Sequence, residues 1–134
     1  MPVLKSSNAT PSTTGSNELS HELMSIEVLS AEEKEAVWRA IAAMPAILTF
    51  EYEARMGITQ EAALAILDDW PKVDDFVDES DACLAINNSL NDLLHGITLT
   101  DTQCKELTGV YREELLRIYR KWATARGWES TGVR

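Results

Sequence analysis

Apolar residues recur at threes and fours along most of this chain, and no stretch sustains the alternation that marks a strand. Residues 18–29 carry Leu19, Leu23, Ile26 and Leu29 at a weak helical spacing. The pattern sharpens at Ser30, where Ser30 to Glu33 has capping-box form and Glu32, Glu33 and Glu35 suit the positive end of a helix dipole. Val37, Trp38, Ile41 and Met44 supply the apolar face behind it, and Pro45 is expected to end or kink that helix. A second helix is predicted over Ala46–Met56, supported by a Glu51–Arg55 pair and by Gly57 just past its end. Thr59 is the next cap, followed by Ala62, Ala63, Ile66, Leu67 and Trp70, with Pro71 closing the helix. Another helix is predicted from Ser80 to His95 on the stripe Cys83, Ile86, Leu90, Leu93 and Leu94, stopping at Gly96.

The C-terminal third is the most regular. Thr100 to Gln103 is a second capping box, and Leu99 can staple onto Cys104. Cys104, Leu107, Tyr111, Leu115, Ile118, Trp122 and Ala125 then predict one helix of about six turns. Gly109 is its soft spot, costing about 1 kcal/mol relative to Ala. Gly127 suits a left-handed C-cap, with Trp128 folding back onto Trp122 or Ala123. The expected fold is all-α, a compact bundle of five or six helices. Residues 1–17, rich in Ser, Thr, Asn, Pro and Gly, read as a flexible tail, and residues 18–134 as a single helical domain.

Charge changes the picture. The 134 residues hold 12 Lys+Arg against 22 Asp+Glu, a net charge of −10. That balance argues against nucleic acid, which needs a basic face, and against a polybasic anchor on a membrane. The longest apolar stretch, Ile41–Leu48, is too short to cross a bilayer, and the N-terminus lacks a signal-like apolar run. Cys83 and Cys104 cannot build a disulfide scaffold and read as buried, reduced thiols, so a cytoplasmic location is expected. Acid is densest between Asp68 and Asp81, in Asp68, Asp69, Asp74, Asp75, Asp78, Glu79 and Asp81, opposed only by Lys72. Residues 105–134 instead hold seven basic and four acidic groups.

Tests for chemistry return little. The acidic run has Trp70 and Lys72 where calcium ligands belong and lacks the turn glycine, so it is no EF-hand. His95 has no Cys, His or Glu at ligand spacing and suits a helix C-terminus, and His21 lies in or near the tail. No Ser, Cys or Thr sits in a nucleophile motif, and no glycine-rich loop cradles phosphate. Gly57 to Ala63 echoes the first helix of a helix-turn-helix, but the acid that follows would repel DNA. No catalytic residue, metal ligand or cofactor is assigned.

The leading expectation is therefore a non-enzymatic acidic helical module that binds a protein with a basic surface, as an inhibitor, immunity-type or regulatory protein would. Its partner-binding residues are expected to be Asp68, Asp69, Trp70, Asp74, Asp75, Phe76, Asp78 and Glu79, with the two aromatics as anchors. The plainer readings are that Trp70 and Phe76 are core residues and that Arg112, Arg117, Arg120, Lys121 and Arg126 neutralise the acid, within one chain or across a homodimer. The alternative function is a small helical enzyme or ligand-binding protein, with an inter-helix pocket lined by Tyr52, Asn87, Asn91 and Tyr111.

Overall fold

The structure, a computed structural model, describes residues 25–128. They are all-α, with no strand among the described residues. A 3-10 turn at Ser25–Val28 leads into helix α1 (Ala31–Leu48). A second 3-10 turn, Thr49–Glu51, and a one-turn helix, Tyr52–Met56, follow. Then come α2 (Gln60–Asp69), α3 (Asp81–Asn91), α4 (Asp101–Thr108) and α5 (Arg112–Ala125). The expected tail, and with it Leu19, His21 and Leu23, lies outside the described residues.

The start signals act as read. Ser30 and Glu33 form a reciprocal capping box, as do Thr100 and Gln103, while Thr59 and Ser80 cap α2 and α3 through their hydroxyls. The ends behave differently. Helix α1 passes through Pro45 and stops only after Leu48, so Pro45 does not end it. The missing amide is outweighed by packing, since Met44 and Leu48 are buried on either side of it. The break falls instead at Thr49, which takes a positive φ of 52°. The helix expected over Ala46–Met56 is thus divided between the end of α1 and the short turns after it.

The long C-terminal helix is likewise two. Gly109, at φ 88°, caps α4 in the left-handed region, and its amide donates to Lys105 O at 2.8 Å. Thr108 secures the break, donating to the Cys104 and Val110 carbonyls at 2.8 and 3.0 Å. A Cβ at Gly109 would lie 3.3 Å from Arg39 Nη1 and force a strained backbone. Gly109→Ala is therefore expected to destabilise the domain by about 1–2 kcal/mol, read as a lower urea midpoint. Had the helix been continuous, the same change would have stabilised it.

Helix α1 packs along α3 and α4; α2 leans on α1 and α3; α5 closes the bundle against α3, α4 and the Ser25–Val28 turn. The buried faces follow the helical period: Val37, Ile41, Met44 and Leu48 from α1, and Leu115, Ile118, Tyr119 and Trp122 from α5. Helix α3 runs on into a π-helical turn, Asp92–Gly96, which buries Leu93 and Leu94. Arg112 ties this turn to α5 by donating to the carbonyls of Leu93, Leu94 and Leu99 at 2.7–3.2 Å. Gly127 forms the expected C-cap. Its amide donates to Thr124 O and that of Trp128 to Ala123 O, a Schellman pattern that seats Trp128 on Trp122 with ring centroids 5.3 Å apart.

Candidate partner-binding site

The acidic run joins α2 to α3. Helix α2 ends at Asp69, and the Lys72 amide donates back to Asp69 O at 2.8 Å. Asp74 accepts from the Phe76 amide at 3.1 Å, an Asx turn, while Ser80 Oγ donates to Asp74 O at 3.2 Å. These short-range bonds fold residues 70–80 into a compact loop.

The loop is anchored from behind by Asp75. Its side chain is 0% exposed, and Oδ2 accepts from the Ile26 amide at 3.1 Å and from the Trp122 indole N–H at 2.7 Å. Arg126, 3% exposed, lies 3.9 Å from the same oxygen, donates to the Asp75 carbonyl and pairs with Asp78 at 2.6 Å. The guanidinium sits over the Trp122 and Trp128 rings at 5.2 and 5.0 Å from their centroids. One oxygen of Asp75 and Nε of Arg126 stay buried without a hydrogen-bond partner. Asp75 thus belongs to the interior and is not available to a partner, contrary to the expectation from sequence. Asp75 turns inward because the buried Ile26 amide and Trp122 indole N–H need an acceptor there, which Asp75 supplies.

Burial, only partly offset by Trp122, Arg126 and the Ser25 and Ile26 amides, pushes the Asp75 pKa above the ordinary aspartate value. A raised folded-state pKa means that the folded protein holds this proton more tightly than the unfolded chain does. Its favourable contribution is full below the unfolded pKa, about 4, and is lost as pH rises through the higher folded value. Wild type is therefore expected to gain stability relative to Asp75→Asn as the pH falls from 7 towards 4.5, measured by denaturant unfolding at both values. Glu33 acts in the opposite sense: the Ser30 amide lowers its pKa, so its contribution is lost on acidification.

The other members of the run face outwards. Asp68, Asp69, Asp74, Glu79 and Asp81 are exposed and form no ion pair among the described residues; Asp78 is exposed but held by Arg126. Phe76 and Val77 are 51% and 60% exposed, whereas Trp70 is half-buried against the core, its indole N–H enclosed and unpartnered. Phe76 therefore remains available as an anchor, and Trp70 serves mainly to pack. Beside this loop lies an open groove of about 360 Å³ between α2 and the start of α3. Ala62, Ala65, Ile66, Val73 and Ala82 give it an apolar lining; Asp69, Asp74 and Asp81 edge it, with Lys72 the one cation. The sequence reading included Asp69 and Asp74 but missed Asp81 and the apolar lining, whose faint signal is the alanine repeat along α2. It also missed Phe50, 93% exposed immediately after the strained Thr49.

Of the C-terminal cations among the described residues, Arg126 alone is paired with the acidic run. Arg112 holds backbone carbonyls, Arg117 pairs with Glu114, and Lys121 with Glu33 at 3.0 Å. The asparagines of α3 form a hydrogen-bond network. Tyr119 Oη donates to Asn87 Oδ1 at 2.8 Å, Asn91 donates to both, and Asn88 donates to Met56 O at 2.8 Å. Tyr111 is exposed, with Lys105 over its ring. Cys83 and Cys104 are buried and unbridged, and burial raises the Cys104 thiol pKa. Among the described residues no group of three or more His, Cys, Asp or Glu is arranged to hold a metal ion, and no helix is long and apolar enough to cross a membrane.

The fold and this face define an all-α acidic domain with a grooved, carboxylate-edged surface. No family model, curated protein or solved structure matches the chain, so its functional reading rests on its own residues.

Proposed function

We propose that this chain is a non-enzymatic binding module that takes up a protein partner with a basic surface, acting as an inhibitor, immunity-type or regulatory protein. The observation that supports this reading is the set of exposed carboxylates at Asp68, Asp69, Asp74, Glu79 and Asp81, without counter-ions among the described residues, while Arg112, Arg117 and Lys121 are used elsewhere. Such a face raises the rate of encounter with a cationic partner and disfavours acidic ones, and the exposed Phe76 adds an apolar contact within it. Buried, unbridged thiols fit a reducing compartment, and the cytoplasm is the location we assign.

The test is affinity capture from the native cell extract at low and high salt, with the full chain as bait. One stoichiometric basic partner, released by salt and lost with the combined D68N/D69N/D74N/E79Q/D81N variant, is the expected result. Retention of no partner, together with a rise in Tm on addition of a metabolite pool, would overturn it in favour of a small-ligand binder.

A further inference from the structure

We infer that the groove between α2 and the start of α3 is the seat of that partner, and that its occupant is an amphipathic helix carrying Lys or Arg beside large apolar residues; this rests on the reading above. The groove combines two features that a purely solvated acidic face lacks. Its floor is apolar, with Ile66 and Val73 nearly covered by their own neighbours and small alanines between them. Its edge is anionic at Asp69, Asp74 and Asp81. An apolar cavity of about 150 Å³ holds one benzene ring. The groove's 360 Å³ thus accommodates about two large side chains.

The edge chemistry selects the sign of the occupant. Three carboxylates against Lys72 attract ammonium and guanidinium groups, and they are not arranged to hold a metal ion. The surrounding architecture selects its conformation. The groove lies between two helices and offers no strand edge among the described residues, which suits a helix, whose backbone bonds are made within itself and which binds through side chains. Apolar residues on one face would enter over Ile66 and Val73, while flanking cations meet the aspartates. Loop geometry supports the edge: the Asx turn at Asp74 and the buried Asp75 behind it fix the carboxylate that closes one side.

The probe is a helical Leu/Lys peptide, with a Leu/Glu peptide of the same pattern as its control, titrated into the full chain at low salt. Ala65→Trp fills the groove from an exposed position without touching charge. Asp69→Lys reverses the edge at a helix C-terminus, where a cation suits the dipole. Both variants are checked for wild-type helicity. We expect wild type to bind the Lys peptide with amide shifts centred on residues 62–82 and to ignore the Glu peptide, and each variant to weaken binding at least about tenfold. Asp68→Asn with Glu79→Gln, outside the groove, is expected to cost less than about threefold. Undiminished binding to Ala65→Trp, with shifts elsewhere on an acidic surface, would overturn the groove while leaving the binding-module reading intact. Absence of Lys-peptide binding, or equal binding of the Glu peptide, would overturn both.

Discussion

Asp75→Ala is expected to destabilise the domain by about 3–5 kcal/mol, a large part of the 5–15 kcal/mol typical of a folded domain. The change removes one acceptor and strands two donors. The Ile26 amide and the Trp122 indole lose their oxygen, and Arg126, its side chain 3% exposed, loses the more deeply buried of its two carboxylates and keeps only Asp78 at the surface. Asp75→Asn keeps an amide oxygen for the two N–H groups and is expected to cost clearly less. Urea unfolding followed by tryptophan fluorescence measures both. A loss below about 1 kcal/mol for Asp75→Ala would mean that Asp75 does not anchor the loop. Because Asp74 and Phe76 flank the anchor, loosening it is also expected to blur the amide spectrum of residues 70–80 before the helices melt.

Trp122→Ala carries a comparable penalty by a different route. The indole is fully buried, packs against Tyr119 at 6.0 Å and Trp128 at 5.3 Å between ring centroids, and supports the Arg126 guanidinium. Truncating a buried Trp costs about 3–5 kcal/mol through lost transfer energy and the cavity left behind. Trp122→Phe separates the terms: it keeps most of the ring packing but removes the N–H that bonds Asp75. If the hydrogen bond matters as the geometry indicates, Trp122→Phe combined with Asp75→Ala will cost less than the sum of the single changes. Simple additivity would show that the two side chains act independently.

What the chain reveals in advance is what its local geometry decides. The capping boxes at Ser30 and Thr100 and the C-cap at Gly127 each close within a few residues, and all three are present. Pro45 shows a local rule outweighed by burial on both sides of it. The split at Gly109 was hidden because Leu107 and Leu115 keep helical spacing across it, although Tyr111 between them points outwards.

The candidate site was legible as composition and only partly as placement. Nothing local distinguishes Asp75 from Asp74; its inward course depends on Ile26 and Trp122, 49 and 47 residues away. The two proposed aromatic anchors part for the same reason, Trp70 leaning on the core and Phe76 staying outside. The groove itself arises only when α2 and α3 meet across the loop, so its apolar floor has no contiguous signature. Among the described residues, the expected neutralisation of the acidic run by the C-terminal cations is confined to Arg126, which leaves Asp68, Asp69, Asp74, Glu79 and Asp81 outside any ion pair.

In the proposed mode of binding, the position of the negative charge, and not its total, directs the partner. Two variants of equal net charge test it: D69N/D74N/D81N on the groove, and E53Q/E106Q/E113Q at exposed positions away from it. Affinity for the Leu/Lys peptide, measured by calorimetry at one fixed salt concentration, is expected to fall at least about tenfold for the first and to stay within about twofold of wild type for the second. Equal losses in the two variants would contradict it, reducing the acidic face to a diffuse surface charge.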